Sequence, residues 1–212
     1  MMKSLSLSVA LGSALALTAC SDVPDAPRAQ VEEVNAAVAP VVEPAGPAEQ
    51  LTLDPAKSSV GYIGAKVTQT HEGGFRTVSG SITLHPDAVE RSAIEVRVAT
   101  DSLFADEEKL TNHLKSPDFF DVAQFPEASF RSTSIRAGGS DGATHTITGD
   151  LTMHGQTKAI SFPATVVVTA ESVEARAEFT INRKDFGIVY PGMPDDLIRD
   201  DVVLKIAAHA AR

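Results

Sequence analysis

The sequence predicts an all-β domain, either a closed barrel or a sandwich, that follows an export signal. From Leu51 onward, apolar and polar residues alternate with period two, which is typical of half-buried antiparallel strands. Residue clusters typical of turns separate these stretches. The sequence does not show the alternation of helices with strands that would indicate a parallel sheet. The single cysteine, Cys20, closes a short apolar segment at the N-terminus.

The N-terminal segment has the features of a secretory signal. Met1-Met2-Lys3 gives a positive start, Leu5 to Leu17 is apolar, and small residues precede Cys20. Leu17-Thr18-Ala19-Cys20 also resembles a bacterial lipobox, in which the cysteine thiol receives a diacylglyceryl group before cleavage. We predict a signal peptide over residues 1–19 and lipid attachment at Cys20. The alternatives are an ordinary signal peptide with a chance cysteine and a short buried core helix.

The predicted anchor also sets the location. The apolar segment is too short for a transmembrane helix, which needs about 20 apolar residues, so the acyl chains would be the only membrane contact. This predicts a lipoprotein of the bacterial cell envelope that faces the periplasm. In enteric bacteria an aspartate after the cysteine holds lipoproteins at the inner membrane. By that resemblance Ser21 favours the outer membrane.

Charge and cysteine content exclude several classes of function. The net charge is −10 and the acidic residues are spread along the chain without a basic patch. Nucleic acid is therefore not an expected partner, and neither is direct docking on an anionic lipid surface. With Cys20 acylated, no thiol remains for a disulfide, a cysteine-based metal site or a cysteine nucleophile.

Residues 20–50 differ in composition from the rest of the chain. They are rich in proline, alanine and acidic residues and contain no aromatic residue. Such a segment buries too little apolar surface to fold, so we predict a disordered tether with a reach of about 90 Å at ~3.1 Å per residue. Residues 51–212 are long enough for a single domain that buries roughly 70% of its unfolded surface.

About eight strands with short links predict a closed barrel or a sandwich. The predicted strands are Ser58 to Val67, Val78 to Leu84, Ile94 to Val98, Ala128 to Ile135, His145 to Met153, Ile160 to Val168, Val173 to Ile181 and Val202 to Ala210. The predicted turns are Glu72-Gly73-Gly74, His85-Pro86-Asp87, Gly138 to Gly142 and His154-Gly155-Gln156.

One polar stretch, Ser102 to Ser116, predicts a short helix across one mouth of the barrel. Acidic residues come early in it and basic residues late, which suits the helix dipole, and Pro117 ends it. Leu103, Leu110 and Leu114 would face inward. A loop rich in phenylalanine follows, and its rings either close the mouth and touch a ligand or fasten the helix to the sheet.

Three separate motifs resemble the YceI-like family, which comprises exported bacterial lipid-binding domains. They are HLKSPDFFDVAQFPEASFRSTSI (His113 to Ile135), GDLTMHGQTKAISFPATV (Gly149 to Val166) and FTINRKDFGI (Phe179 to Ile188). The resemblance covers residues 51–211. It implies an extended eight-stranded antiparallel, lipocalin-like barrel. It also implies a long isoprenoid chain, such as a polyprenyl quinone, in an internal tunnel. We predict that the helix and loop over residues 102–130 act as a lid on this barrel.

Some positions depart from the commoner family pattern. Many members have Trp where this chain has Leu51, His where it has Lys57, and an Arg-Asp pair where it has Leu110-Thr111. These differences affect the identity of the ligand more than the fold.

The implied tunnel has strand and lid residues as candidate ligand contacts. They are Val96, Leu110, Leu114, Phe119, Phe120, Phe125, Phe130, Phe162, Phe179 and Ile181. A fully packed interior requires the same apolar residues, so the pattern alone leaves the packed alternative open.

The polar candidates are few. His113 either hydrogen-bonds to a polar ligand head or caps a backbone carbonyl, and Arg183 is expected in a structural ion pair with Asp185 or Asp150. The six histidines do not fall at metal-ligand spacing, so no metal site is predicted. The chain contains neither a Gly-x-Ser-x-Gly elbow nor a glycine-rich nucleotide loop, and we predict no enzyme activity.

Together these features predict an envelope lipoprotein that binds, sequesters or transports an isoprenoid-type lipid, either a polyprenyl chain or a quinone. Another long-chain apolar ligand fits the same pattern. No cofactor is required beyond the bound lipid, and a homodimer is left open. The alternatives are a structural or stress-related envelope protein with a packed barrel and, third, a lipid-modifying enzyme.

Overall fold

The computed structural model describes residues 23–34 and 47–212, so the predicted signal peptide and Cys20 lie outside the described residues. The described part is nearly all strand, and none of its helices is long and apolar enough to cross a membrane. The strands are β1 (Gln30–Glu33), β2 (Glu49–Thr52), β3 (Ser59–Ala65), β4 (Thr70–Phe75), β5 (Val78–Leu84), β6 (Ala93–Ala99), β7 (Leu103–Ala105), β8 (Glu127–Ala137), β9 (His145–Met153), β10 (Gln156–Val168), β11 (Ser172–Asn182), β12 (Gly192–Met193), β13 (Asp196–Leu197) and β14 (Asp201–Ala211), and the helix is α1 (Glu108–Lys115).

The strands form an antiparallel sheet that curls into a barrel. Its order is β2-β5-β6-β8-β9-β10-β11-β14-β3-β4-β7. β2 and β3 pair with β5 and β4, and β6 and β7 pair with the same two strands on their other side. Each of the pairs β2–β3, β4–β5 and β6–β7 therefore occupies one strand position, which gives the barrel eight positions. The barrel closes where Leu53, just after β2, pairs with Ala210 of β14. There the Asp54 amide donates to the His209 carbonyl at 2.8 Å. The predicted eight-stranded antiparallel barrel is confirmed.

The alternating pattern sorts side chains between the two faces of the sheet. In β11 and β14, Phe179, Ile181 and Leu204 belong to the main core cluster inside the barrel. Val203, the neighbour of Leu204, points to the outer face and packs against Ile63 of β3. Because successive side chains of a strand point to opposite faces, the sequence pattern fixes which residues line the interior.

Two local predictions were wrong. Gly73 and Gly74 lie within β4 instead of in a turn, because β4 passes so close to its neighbours that a Cβ at Gly73 would collide with the Phe104 carbonyl and the Tyr62 hydroxyl. The predicted helix from Ser102 begins only at Glu108. Leu103 is buried as predicted, but it lies in β7, which pairs with β4.

The N-terminal residues also differ from the prediction. Residues 23–34, here called the seam segment, form part of the wall, whereas the sequence predicted a disordered tether over 20–50. β1 pairs antiparallel with the first half of β10, and the Ala29 amide donates to the Thr180 carbonyl of β11 at 2.9 Å. The direct β10–β11 pairing covers only Thr165–Val168 of β10. The seam segment therefore fills the gap where these strands separate, a long-range contact that composition does not reveal.

We expect Ala29→Asp to release the seam segment. Ala29 is 4% exposed and packs in the main core cluster, where an unpaired carboxylate is costly to bury. Amide hydrogen exchange of residues 28–33 should then accelerate strongly while β11 and β14 stay protected. Gln30→Asp is the matched control, because Gln30 is exposed. Unchanged protection in Ala29→Asp would show that the seam segment does not depend on this burial.

Candidate ligand-binding cavity

A cavity of about 540 Å³ lies at one end of the barrel, between the sheet and α1. Its wall is the inner face of β3, β11 and β14, which contributes Tyr62, Gly64, Ile181, Val202 and Leu204. α1 and the β12–β13 hairpin also border the cavity, and the end of the barrel that they border is called the mouth below. The cavity size falls in the range of about 300–1,000 Å³ typical of small-molecule sites.

The roof of the cavity is formed within residues 106–125, which are called the lid below. The predicted lid, residues 102–130, was longer, but its two ends overlap β7 and β8. Leu110 and Leu114 of α1 face the cavity, and Leu114 is 9% exposed. Thr111 fixes the helix to β7, since its hydroxyl accepts a hydrogen bond from the Ala105 amide at 2.8 Å and donates one to the Glu107 carbonyl at 3.0 Å. The apolar side of this short helix is thus held over the barrel interior.

Aromatic rings complete the lid. Phe120 packs edge-on against Phe75 of β4 at 5.8 Å between ring centroids, and Phe119 packs against Tyr190 at 5.4 Å. Phe119 and Phe120 also line the cavity. The sequence left open whether these rings close the mouth or fasten the helix to the sheet. Phe119 and Phe120 make packing contacts with Tyr190 and Phe75, and their contact with a ligand stays a prediction.

A phenylalanine stack closes the inner end of the cavity. Phe162 stacks on Phe179 at 4.2 Å between centroids with an interplanar angle of 13°, and Phe130 packs on Phe162 at 5.5 Å. Beyond these rings, the far half of the barrel is filled by a second cluster that includes Leu84 and Ala210. The residues that line this cavity lie at one end of the barrel, and within residues 23–34 and 47–212 a packed cluster occupies the other half.

Five of the ten predicted contact residues line the cavity, and five do not. Leu110, Leu114, Phe119, Phe120 and Ile181 line the cavity. The other five do not: Phe130, Phe162 and Phe179 form the stack below it, Val96 packs at the edge of the far cluster, and Phe125 lies against His154 in the β9–β10 turn. Sequence reasoning missed Met153, Tyr190 and Ile198, whose positions at strand or loop ends carry no distinguishing pattern.

Gly64 leaves the cavity wall open. It lies on the inner face of β3, and a Cβ built there meets no atom within 4 Å. A larger side chain at this position would project into empty space. Gly64 is therefore a position at which the cavity can be filled without disturbing its wall.

Polar side chains at the mouth are paired with one another. His71 lies 3.0 Å from Asp106, and His113 lies 2.9 Å from Asp118. The carboxylate partner of His113 replaces the carbonyl cap that the sequence suggested. Tyr62 donates to the Phe104 carbonyl at 3.2 Å, and burial, together with the charge of Asp106, raises the pKa of its hydroxyl. These pairs leave the cavity surface mainly apolar.

Arg183 holds the loop beside the cavity in place. Its guanidinium donates to the Ile188 carbonyl at 2.7 Å, to the Arg199 carbonyl at 3.1 Å and to Asp200 at 3.2 Å. Burial lowers the pKa of Arg183, while Asp200 acts in the opposite direction. The expected role as a structural ion pair is confirmed, but its partner is Asp200 and not Asp185 or Asp150.

The β12–β13 hairpin is fastened at the mouth by Asp196. Its carboxylate accepts from the Lys66 ammonium at 2.6 Å and from the Thr68 hydroxyl at 2.9 Å. The hydrogen bond from Lys66, opposed by desolvation and aided by Thr68, lowers the pKa of Asp196 below its usual value. A carboxyl with a lowered folded-state pKa stabilises the fold above its unfolded pKa, about 3.9, and loses that contribution as the pH falls through the folded value.

We therefore expect the hairpin to stay in place from neutral pH down to about pH 4 and to loosen only in stronger acid. The methyl resonance of Met193, followed by NMR during acidification, reports this step. In Asp196→Asn the step should be absent and the hairpin looser at neutral pH. A Met193 transition centred near neutral pH would contradict the assignment to Asp196.

Comparison with known proteins identifies the fold family. The model of the YceI-like domain matches residues 51–210. The chain belongs to the YceI-like family. A UPF0312 protein of Pseudomonas putida strain GB-1 is 36% identical over 139 residues, which cover 63% of this chain and 71% of that protein. A UPF0312 protein of Pseudomonas savastanoi pv. phaseolicola is 37% identical over 136 residues, covering 61% and 70%.

Solved YceI-like folds resemble this one. BcnA of Burkholderia cenocepacia aligns with a TM-score of 0.66 and 22% identity, covering 74% of this chain and 99% of BcnA. A polyisoprenoid binding domain from Saccharophagus degradans aligns with a TM-score of 0.58 and 15% identity, covering 76% and 97%. Because these two proteins share only 22% and 15% sequence identity with this chain, the comparison shows a shared fold. The seam segment of this YceI-like protein precedes the matched region.

Within residues 23–34 and 47–212, no three His, Cys, Asp or Glu side chains come together in a way that could hold a metal ion. The polar pairs at the mouth are two-residue contacts. The chemistry available in the cavity is therefore apolar contact, with paired polar groups at its opening.

Proposed function

We propose that this protein binds the apolar chain of an isoprenoid-type lipid in the cavity beneath the lid. The observation that carries the proposal is the mainly apolar cavity of about 540 Å³, roofed by Leu114 and Phe119 and walled by Ile181 and Leu204. The likeness to the Saccharophagus degradans polyisoprenoid binding domain supports the ligand class.

Burial of apolar surface supplies the binding free energy. Each Å² removed from water contributes roughly 25 cal/mol, so a few hundred Å² of chain provides several kcal/mol before the ordering losses of binding. Because the histidines at the mouth already have carboxylate partners, the cavity selects an apolar chain and leaves the polar end of the lipid near the opening.

The proposed setting is the cell envelope. Acylation of Cys20 would hold the protein on the periplasmic side of a membrane, with the outer membrane favoured by Ser21. In this setting the protein sequesters or transports its lipid without chemical change. The proposal needs neither a catalytic residue nor a cofactor other than the bound lipid.

The test is the composition of the protein as purified from its own membrane. Organic extraction followed by mass spectrometry is expected to release about one prenyl lipid, a polyprenyl chain or quinone, per chain. An empty protein that also fails to take up added prenyl lipids would contradict binding and favour a structural role. Chemical conversion of the added isoprenoid would instead indicate an enzyme.

A further inference from the structure

Exposed apolar side chains border the mouth of the cavity. Val67, Met193 and Leu197, here called the rim patch, are 49%, 62% and 49% exposed. The Val67 amide donates to the Leu197 carbonyl at 3.0 Å, which joins Val67 to the β12–β13 hairpin. Met193 lies opposite Asp196 in the hairpin, so its side chain and that of Leu197 project from the two faces of the hairpin. Met193 also lines the cavity. The hairpin therefore exposes apolar side chains on both of its faces beside the mouth, where they are available for contact with a membrane.

The seam segment determines where the chain leaves the barrel. Val23 is 6% exposed and packs on the outer face against Ile63 and Val203, which pair with each other across β3 and β14. Val203 is the third residue of β14, so this contact lies about 7 Å from the end of the strand that borders the cavity. The chain N-terminal to Val23 therefore starts beside the mouth.

The length of chain before Val23 limits where an anchor can reach. Cys20 precedes Val23 by three residues, a span of at most about 10 Å. The opposite end of β14, at Ala211, lies about 26 Å from Val203. While the seam segment is in place, Cys20 itself can thus lie beside the mouth end of the barrel and cannot reach the far end.

We propose that the mouth of the cavity docks on the lipid bilayer, with the rim patch entering its interfacial region. This inference rests on the lipid anchor of the proposed function. The acyl chains hold the mouth end at the membrane, and the rim patch supplies the apolar contact around the opening. A lipid chain then passes between bilayer and cavity without crossing water.

Charge specifies the kind of bilayer. Asp195 lies in the hairpin beside the rim patch, whereas Asp196 is already paired with Lys66, and the net charge of the chain is −10. Anionic lipids would repel this surface, so the docking face fits a zwitterionic bilayer. Addition of anionic lipid to the vesicles is expected to weaken docking, and salt to restore it.

The test uses the full acylated protein in phosphatidylcholine vesicles. Met193→Cys provides a thiol at the rim patch for an environment-sensitive fluorophore, and Val167→Cys provides the matched control. Val167 is 48% exposed and lies near the end of β10 farthest from the mouth. Nitroxide-labelled lipids are expected to quench the Met193 label several-fold more strongly than the Val167 label. Equal quenching, or quenching of the control alone, would overturn the proposal.

Further arms separate this proposal from the proposed function. Docking is expected to persist in acylated protein from which the bound isoprenoid has been removed. Quenching at Met193 in a protein that never yields an extractable isoprenoid would therefore support docking and contradict the proposed isoprenoid binding. An isoprenoid-loaded protein without quenching at Met193 would refute docking alone. A Cys20 thiol that still reacts with maleimide in the mature protein would remove the anchor and overturn docking. Burial of the rim patch between two copies, seen as contact between Met193 labels, would also overturn it.

Discussion

Phe179→Asp is expected to lower the free energy of unfolding by about 5 kcal/mol or more. Phe179 is 2% exposed and stacks on Phe162 at 4.2 Å, at the centre of the main core cluster. The substitution removes a ring from a packed interior and leaves an unpaired carboxylate there. Because small domains are stable by about 5–15 kcal/mol, much of the population should unfold.

Urea denaturation followed by circular dichroism measures this change. Val167→Asp places the same charge on an exposed position of β10 and is expected to change stability by no more than about 0.5 kcal/mol. Phe179→Leu keeps the site apolar and should fall between the two. A midpoint for Phe179→Asp equal to that of the wild type would contradict the placement of Phe179 inside the barrel.

Gly64→Phe is expected to abolish lipid binding while the barrel stays folded. A Cβ at Gly64 meets nothing within 4 Å, so the new ring projects into the cavity in place of the ligand. The melting temperature should be unchanged or raised, because the added ring buries apolar surface in a void. Titration with a fluorescent prenyl lipid is expected to give a saturable signal for the wild type and none for the variant.

Ser59→Phe is the matched control for this substitution. Ser59 lies on the exposed outer face of the same strand, so its replacement leaves the cavity open and binding intact. If Gly64→Phe disturbs the fold, Gly64→Leu fills the cavity with a smaller side chain and tests the same prediction. Wild-type affinity in a folded Gly64→Phe protein would show that the lipid binds elsewhere.

The sequence predicts most of the barrel because its strands bury one face each. β5 and β9 have the bounds that alternation predicts, because smaller or polar residues alternate with apolar residues along each strand. β4 was missed because Gly73 and Gly74 are typical of turns, and only contact with β3 and β7 explains them. β1 was missed because it forms only where β10 and β11 separate, which no local pattern records.

The site is less predictable than the fold. Leu110 and Leu114 follow from an amphipathic helix placed over a barrel end, and both line the cavity. Phe162 and Phe179 have the same apolar character as a cavity wall, yet they stack into a packed floor. Cavity and core require identical residue types, so the boundary between them depends on ring packing in three dimensions.

The central claim is that a lipid chain occupies the mouth end of the barrel. Methyl NMR during titration with a defined prenyl lipid tests this most directly. The account predicts that Leu110, Leu114, Met153, Ile181 and Leu204 shift and show contacts to the lipid, because they line the cavity. Ile82, Leu84 and Ile94, packed in the far half, should stay unchanged. Shifts centred on that far cluster, or no shifts at saturating lipid, would contradict it.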